Sequence, residues 1–550
     1  MLRYLAATFY LVITSMCLAQ SNVDIDEEQQ RYFRGAITPE RSWWDLQHYA
    51  LTVDIDIAKQ YFHGTNVITY KVLTGAKTLQ FELQPPMQVD AITQAGKALR
   101  FNQQGYSFFV SLEEQQQIGK EYALTVTFSG KPQIAKNAPW DGGITWSEDS
   151  AGMPFIASSN QGIGASIWWP NKDHGYDEPD RGIDMYITVP RPLINVSNGR
   201  LINIEESIDG SAQTFHWQVK SPINNYGVNI NIADYVSWQD SFIGEQGKLD
   251  TEYFVLRENE EIAKEQFKDA PRTLEAMEHW FGPYPFYKDG FKLVEAPYLG
   301  MEHQSSVTYG NGFQNGYKGK DLSQTGWGLK FDYIIVHEIA HEWFANSITA
   351  KDIADLWVQE GFTSYAEGLF VEYHFGIEAG NEYQQGLRSR IVNDKPIIGP
   401  YHQHTLGSFD MYAKGAALLH TIRQIVNDDE KWRFMLRGLN KAFYHKTVTT
   451  KEIENYLIAQ SGKPLASVFE QYLRDHRVPI LEYKIQNNSL SLRWSNVVAD
   501  FSMPIKGYVD RKEQWFDVNT QWQTVELDKA PEVLTWDNNF YIASSLVVMQ

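Results

Sequence analysis

Two histidines four residues apart, His337 and His341, could share one metal ion. On an α-helix this spacing puts both imidazoles on one face, about one turn apart. Glu338 follows the first histidine and is placed to act as general base toward a zinc-bound water. The same pattern also arises by chance, so further ligands are needed to identify a site. The segment predicts a hydrolytic centre holding one zinc ion.

A catalytic zinc takes three protein ligands and keeps one position open. Glu360 is the candidate third ligand, with residues 342–359 between it and His341. The polar run from Asn346 to Asp355 suits a turn that leads into a second helix. The alternative is that Glu360 is an ordinary solvated glutamate. It stands, however, among apolar and aromatic residues, where an unpaired carboxylate would be costly. Metal binding would remove that cost.

Length and composition describe a folded protein of several domains. A chain of 550 residues is long enough for two to four domains. The formal charge of −20 opposes nucleic-acid binding, which requires a basic surface. Cys17 is the single cysteine, so a mature chain that lacks it has no disulfide, no cysteine metal ligand and no thiol nucleophile.

The first nineteen residues resemble an export signal. Arg3 precedes an apolar run from Leu5 to Ile13 that is short for a membrane span, and small residues lead to Ala19. We predict cleavage near Ala19 and a secreted or periplasmic protein without an integral membrane span in the mature chain. A membrane anchor and a lipid on Cys17 are the alternatives.

Hydrophobic periodicity divides the remaining chain into four segments. The polar, acidic residues 20–36 are predicted to be a flexible lead-in. Apolar residues alternate with polar ones through 37–235, which indicates a large β domain. Helical patterns prevail in 236–477, with a capping box predicted at Thr449 and Glu452. Short alternating segments return in 478–550 and suggest a small β-sandwich, so the fold class is multidomain α+β.

The chain resembles one known protein family over most of its length, and the metal-binding segment is the most specific part of this resemblance. The run from His337 to Phe344, followed by Trp357 and by Glu360-Gly361-Phe362, resembles the signature of the aminopeptidase N and leukotriene hydrolase family of zinc peptidases, the gluzincins. The resemblance implies that His337, His341 and Glu360 bind zinc and that Glu338 is the base. It also implies a saddle-like N-terminal β domain, a thermolysin-like catalytic domain and a β-sandwich.

Further segments resemble the substrate-binding elements of that family. Leu299-Gly300-Met301-Glu302-His303 is similar to the family's exopeptidase loop Gly-x-Met-Glu-Asn, although leucine and histidine replace the first glycine and the asparagine. The resemblance implies that Glu302 pairs with the substrate's α-ammonium and that the backbone of Gly300 and Met301 runs alongside the peptide. Without it, Glu302 would be read as a loop acid.

Two more positions follow from the same resemblance. Gln161, ahead of the pair Trp169-Pro170, corresponds to a residue that helps to hold the substrate amine. Tyr412, in Tyr412-Ala413-Lys414-Gly415-Ala416, corresponds to the tyrosine that donates a hydrogen bond to the oxyanion. Read alone, the first is a polar loop residue and the second a packing tyrosine.

The expected activity is zinc-dependent removal of the N-terminal residue from short peptides with a free amine. A zinc endopeptidase with the same site and a non-catalytic peptide-binding protein are the alternatives. Many family members add a large C-terminal helical domain; the strand-like sequence up to Gln550 leads us to expect a short member without it and with a more open cleft. A monomer is expected.

Overall fold

The computed structural model describes residues 22–548. The predicted export signal, the cleavage position at Ala19 and Cys17 lie outside this range. Within it, no helix combines the length and apolarity needed to cross a membrane.

The N-terminal domain is built almost entirely from strands. It has two short helices, α1 (Glu27–Gly35) and α2 (Pro39–Ser42). Its strands are β1 (Asn22–Val23), β2 (Trp44–Asp56), β3 (Tyr61–Val72), β4 (Thr78–Glu82), β5 (Gln88–Gln94), β6 (Lys97–Ala98), β7 (Arg100–Gln104), β8 (Ser107–Ser111), β9 (Glu121–Gly130), β10 (Gly143–Glu148), β11 (Pro154–Ser159), β12 (Ile183–Pro190), β13 (Ile194–Val196), β14 (Arg200–Glu206), β15 (Ala212–Val219) and β16 (Asn231–Ala233).

Three sheets share the core of this domain. The largest has eight strands in the order β14-β15-β12-β2-β3-β9-β5-β6, and two four-stranded sheets have the orders β1-β7-β8-β4 and β10-β11-β16-β13. Along β2 and β3, buried and less buried residues mostly alternate, because successive side chains of a strand point to opposite faces. The buried set forms one hydrophobic cluster that includes Leu51, Val53, Ile68 and Trp169.

The segment 20–36, predicted to be a flexible lead-in, instead contains helix α1. Asp26 caps this helix by accepting a hydrogen bond from the Gln29 amide at 2.8 Å. The last residue, Gly35, lies so close to the Gln403 backbone that a Cβ atom would overlap it. Composition suggested disorder because most of this segment is polar, but one face of α1 is anchored on a loop far along the chain.

The domain predicted to be catalytic begins where the sheet changes, at Asp234. Its helices are α3 (Glu260–Gln266), α4 (Asp269–Phe281), α5 (Tyr333–Ala340), α6 (Trp357–Phe375), α7 (Ile377–Leu387), α8 (Ala413–Val426), α9 (Asp429–Ala442), α10 (Thr450–Ser461) and α11 (Ala466–Arg474). Its strands are β17 (Tyr235–Gly244), β18 (Gly247–Leu256), β19 (Phe291–Glu295), β20 (Gly300–Met301), β21 (Val307–Tyr309), β22 (Ile348–Ala350) and β23 (Lys446–Val448). The capping box predicted at Thr449 and Glu452 is confirmed at the start of α10.

Two features of this domain position the site. One is a five-stranded sheet, β17-β18-β19-β21-β20, in which β20 is one of the two edge strands. The other is the crossing of α6 and α8, where a Cβ atom on Gly415 would lie 2.9 Å from the Cα of Gly361. Glycine at both positions therefore permits close backbone approach of the helix that carries Glu360 to the helix that follows Tyr412.

The C-terminal segment forms two small sheets. Its strands are β24 (Ile480–Gln486), β25 (Ser489–Ser495), β26 (Ser502–Val509), β27 (Lys512–Asn519), β28 (Gln523–Glu526), β29 (Leu534–Trp536) and β30 (Ala543–Leu546), in the orders β28-β25-β24-β30 and β27-β26-β29. Its buried residues belong to the same hydrophobic cluster as the catalytic helices. The multidomain α+β fold predicted from the sequence is confirmed.

Candidate metal centre and substrate cleft

Helix α5 is buried and carries the first histidine. Asp332 caps it by accepting hydrogen bonds from the Ile334 and Ile335 amides at 3.1 and 3.4 Å. The helix ends at Ala340, so His341 is the capping residue and not an interior residue. Its backbone stays helical, and its amide donates to the His337 carbonyl at 3.4 Å, which preserves the one-turn spacing of the two imidazoles.

Three donor atoms converge between α5 and α6. The Nε2 atoms of His337 and His341 are 3.3 Å apart, and Glu360 Oε2 lies 3.7 and 3.4 Å from them. Bonds of about 2.1 Å at tetrahedral angles would separate neighbouring donor atoms by about 3.4 Å. The three residues predicted from the sequence are therefore brought together at the spacing that one zinc ion requires.

The Glu360 carboxylate supports the same assignment. The side chain is 1% exposed, and its Oε2 atom is buried without a hydrogen-bond donor among the described residues. A buried anionic oxygen without a donor costs several kcal/mol, by order of magnitude, unless a cation compensates it. Two imidazole nitrogens and one carboxylate form a donor set suited to zinc. The residues present thus fit the metal.

Partners on the far side of each imidazole set its orientation. His337 Nδ1 lies 2.8 Å from Glu367 Oε1, and Tyr383 donates to the other oxygen of that carboxylate at 2.7 Å. His341 Nδ1 donates to the Phe344 carbonyl at 2.9 Å. With the proton on Nδ1 in both rings, both Nε2 lone pairs face the common point.

Replacing Glu367 should weaken metal binding. We expect Glu367→Gln to lower zinc affinity by about 10–100-fold, because His337 would lose its anionic orienting partner. Competition for zinc against a chromogenic chelator measures this change. Glu378→Gln, an exposed substitution on α7, is the matched control and should leave affinity unchanged. Equal affinities of the Glu367 and Glu378 variants would contradict this role for Glu367.

Glu338 faces the same cleft and packs against β20. A Cβ atom on Gly300 would lie 3.0 Å from Glu338 Oε1, so glycine lets the edge strand run directly beside the carboxylate. Glu338 is 7% exposed, and burial raises its pKa to about 7. A carboxylate with such a pKa can both accept and return a proton near neutral pH.

Glu302 forms an acidic pocket at one end of the cleft. Its Oε1 atom accepts from Gln161 Nε2 at 2.6 Å and from the Tyr226 hydroxyl at 3.2 Å. The same Gln161 nitrogen donates to Glu360 Oε1 at 2.7 Å. Asn346 donates to the Glu302 carbonyl at 2.9 Å and fixes the turn. Gln161 and Glu302, drawn from different domains in the sequence prediction, therefore meet in the folded chain.

The cleft is strongly anionic. Burial raises the pKa of Glu302, and the neighbouring Glu360 charge raises it further. The pKa of Glu360 itself is lowered despite burial, because His341 and His337 face it. Several buried carboxylates in contact would repel one another without positive partners. A divalent metal beside Glu360 and an ammonium group beside Glu302 would supply that positive charge.

The remaining predicted residues line the cleft or its wall. Tyr412 directly precedes α8, and its ring lies 6.1 Å from the His337 ring. Met301 packs with Tyr298 and Tyr226. His303 is fully buried, with Nδ1 3.3 Å from the Thr308 hydroxyl, and burial lowers its pKa to about 3. His303, which stands in place of the family's asparagine, therefore lies in the interior as a neutral ring.

Sequence reasoning missed Glu367 and Tyr226. Glu367 follows Glu360 by seven positions, two turns along one helix face, and this spacing could have identified it. No local pattern marks Tyr226, which lies in a short 3-10 turn of the N-terminal domain. Only the packing of the two domains brings its hydroxyl to Glu302.

Comparisons with known proteins agree with this geometry. Residues 265–472 match the family described as the Peptidase family M1 domain. Aminopeptidase M1-B of Oryza sativa subsp. japonica is 24% identical over 343 residues, which cover 60% of this chain and 38% of the rice protein. Aminopeptidase N of Lactococcus lactis subsp. lactis is 26% identical over 203 residues, covering 34% of this chain and 23% of that protein. The chain thus spans well under half the length of these curated relatives.

Solved structures share the fold over a larger part of the chain. An M1 zinc metallopeptidase from Deinococcus radiodurans matches with a TM-score of 0.65 and 20% identity, covering 79% of this chain and 94% of that one. A mutant of it bound to a Tyr-Ser-Ala substrate matches with a TM-score of 0.65 and 19% identity, covering 80% and 96%.

Proposed function

We propose that this chain, as a member of the M1 family of zinc metallopeptidases, the aminopeptidase N family, removes the N-terminal residue of short peptides. The family's domain matches residues 265–472. One observation carries the exopeptidase assignment: the acidic pocket of Glu302, Gln161 and Tyr226 lies beside the Glu360 carboxylate. An α-ammonium held there would place the first peptide bond next to the metal ligands.

His337, His341 and Glu360 would hold the zinc ion, which, when bound, supplies a Lewis acid for the carbonyl and lowers the pKa of the attacking water. Glu338 takes the proton from that water and returns it to the leaving amine, which its raised pKa favours. Tyr412 donates a hydrogen bond to the developing oxyanion without having to ionise.

Two elements of the structure position the substrate. Glu302 and Gln161 bind the α-ammonium and thereby set the distance from the N-terminus to the cleaved bond. The edge strand β20 offers free backbone groups to an extended peptide, which can join the sheet as a further strand. Because the amine pocket takes up one end of the cleft, a peptide that continues past it would have to displace these contacts.

Blocked and free substrates test the proposal. We expect dipeptides and aminoacyl-coumarin substrates with a free amine to be cleaved about 100-fold faster in kcat/KM than their N-acetylated forms, because only a free α-ammonium can pair with Glu302. A metal chelator should abolish both rates. Equal cleavage of the two forms would instead show a zinc endopeptidase, and the absence of any cleavage would favour a peptide-binding protein.

We further propose that the protein is exported and acts as a monomer. The basic start, short apolar run and small residues before Ala19 support export. N-terminal sequencing of the protein recovered from its native host tests export, because cleavage near Ala19 would give a chain starting near Gln20. Light scattering measures the molar mass in solution and so tests whether the protein is a monomer.

A further inference from the structure

A small chamber of about 90 Å³ lies between the two domains beside the amine pocket. Gln161, Tyr226 and Gln359 line the end nearest the site, and Arg34, Gly35 and His404 line another part of its wall. Gln359 precedes the metal ligand Glu360 in the chain, and it donates to the Tyr226 hydroxyl at 2.6 Å. The chamber therefore shares Gln161 and Tyr226 with the pocket that surrounds Glu302.

Helix α1 closes part of this chamber. Its Arg31 carbonyl accepts from the His404 amide at 3.0 Å, and Gly35 packs against the backbone of Gln403. His404 Nε2 donates to the Gly162 carbonyl at 2.6 Å. Helix α1, a loop of the catalytic domain and the segment that carries Gln161 thus form one wall.

Arg34 brings a charge into that wall. Its side chain is 11% exposed, and its Nη2 lies 3.9 Å from Oδ2 of Asp173, whose side chain is 8% exposed. Its Nε atom is buried without a hydrogen-bond partner among the described residues. Gly164, with φ of +89°, leaves room for the pair, because a Cβ atom there would lie 2.8 Å from Arg34 Nη2.

The other polar residues of the chamber add no net charge. Burial lowers the pKa of His174 and of His404 to about 3, so both rings are neutral at physiological pH. Ile353 and Leu356 supply apolar surface, and the amide oxygens of Asn160 and Asn225 are buried without donors among the described residues. Arg34 therefore balances Asp173 and leaves a chamber with apolar walls and neutral acceptors.

We propose that this chamber receives the side chain of the substrate's first residue and that Arg34 makes it select uncharged side chains over lysine and arginine. The inference rests on the proposed aminopeptidase function. With the α-ammonium at Glu302 and the carbonyl beside Glu360, the first side chain extends past Gln161 and Gln359. A basic side chain would lose its hydration in the chamber without gaining an unpaired counter-charge, because Arg34 already pairs with Asp173. An acidic one would face Asp173, Glu302 and Glu360.

A panel of aminoacyl-coumarin substrates tests this selectivity. The experiment measures kcat/KM for alanine, leucine, glutamine, lysine and arginine substrates, each relative to the alanine substrate, whose methyl group is the shortest side chain of the panel. The native protein should prefer leucine and glutamine over lysine and arginine by about tenfold or more. Arg34→Gln should raise the relative values for lysine and arginine by about tenfold, because Asp173 then faces the chamber without its partner.

Three further variants test whether the charges of Arg34 and Asp173 cause the selectivity. Arg34→Lys keeps the charge and should keep the native selectivity. Asp173→Asn combined with Arg34→Gln should abolish the gain for basic substrates. Arg31→Gln lies on the same helix, where its side chain pairs with Glu27 at the surface, and it should behave as the native protein does.

The outcomes separate the two proposals. If the native protein cleaves none of the substrates, the proposed function fails. If it cleaves the alanine substrate yet prefers basic residues, the chamber assignment is overturned. The chamber assignment also fails if Arg34→Gln leaves the ratios unchanged, or if Arg31→Gln shifts them equally. Should Arg34→Gln unfold, as thermal melting would show, the native preference and the Arg34→Lys variant still decide.

Discussion

Glu338→Gln should lower kcat by about 10³–10⁴-fold with little change in KM, because the amide cannot accept the proton of the attacking water. The substitution keeps the shape of a side chain that is 7% exposed and packed against Gly300. The fold and the three predicted metal ligands should therefore survive. Steady-state kinetics on a free-amine substrate, together with zinc content, measures the effect.

Two controls make this result specific. Glu338→Asp retains a carboxylate set back from the cleft and should retain more activity than Glu338→Gln. Glu261→Gln, at a side chain that is 91% exposed, should have native kinetics. A Glu338→Gln protein that binds zinc normally and works at the native rate would overturn the assignment of Glu338 as the base.

Glu302→Gln should lower kcat/KM for free-amine substrates by about 100-fold, because a buried charge-assisted contact with the ammonium is lost. The N-acetylated substrates never make this contact and should change little. The preference for free over blocked peptides should therefore nearly vanish, whereas a structural role alone would lower both rates together. The ratio of kcat/KM for matched free and acetylated substrates is the measurement.

The variant also has an internal comparison. Gln161→Leu removes one donor to the Glu302 carboxylate without removing its charge, and it should have a smaller effect on the same ratio. An unchanged ratio in Glu302→Gln would contradict the role of the acidic pocket and would favour an endopeptidase with the same metal centre.

The metal centre could be predicted from the sequence because its parts obey local rules. The spacing of His337 and His341 follows from the helical repeat, and the apolar neighbours of Glu360 marked it as a buried acid. Alternation of side chains marked the β domain in the same way. The structure brings these residues together, the predicted fold class is confirmed, and residues 265–472 match the Peptidase family M1 domain.

Other features depend on contacts between distant segments. In the sequence, helix α1 is a polar, acidic segment without a clear helical pattern. In the structure, contacts with residues near position 404 hold it in place. Tyr226 and His303 carry no local pattern that distinguishes a site residue from an interior one. His303, which replaces the asparagine of the family's loop, fills a buried position beside Thr308. Such assignments require the packing of the two domains.

The two large hydrophobic clusters imply two cooperative units of unfolding. The catalytic helices and the C-terminal strands share one cluster, and most of the second belongs to the N-terminal strands. Because a shared core loses its contacts together, the first two segments should melt as a single unit, distinct from the N-terminal one. His337, His341, Glu360 and Glu302 all lie in that single unit, whereas Gln161 and Tyr226, which hold the Glu302 carboxylate, lie in the other. Recognition of the substrate amine and retention of the metal would therefore fail at different points of a thermal transition.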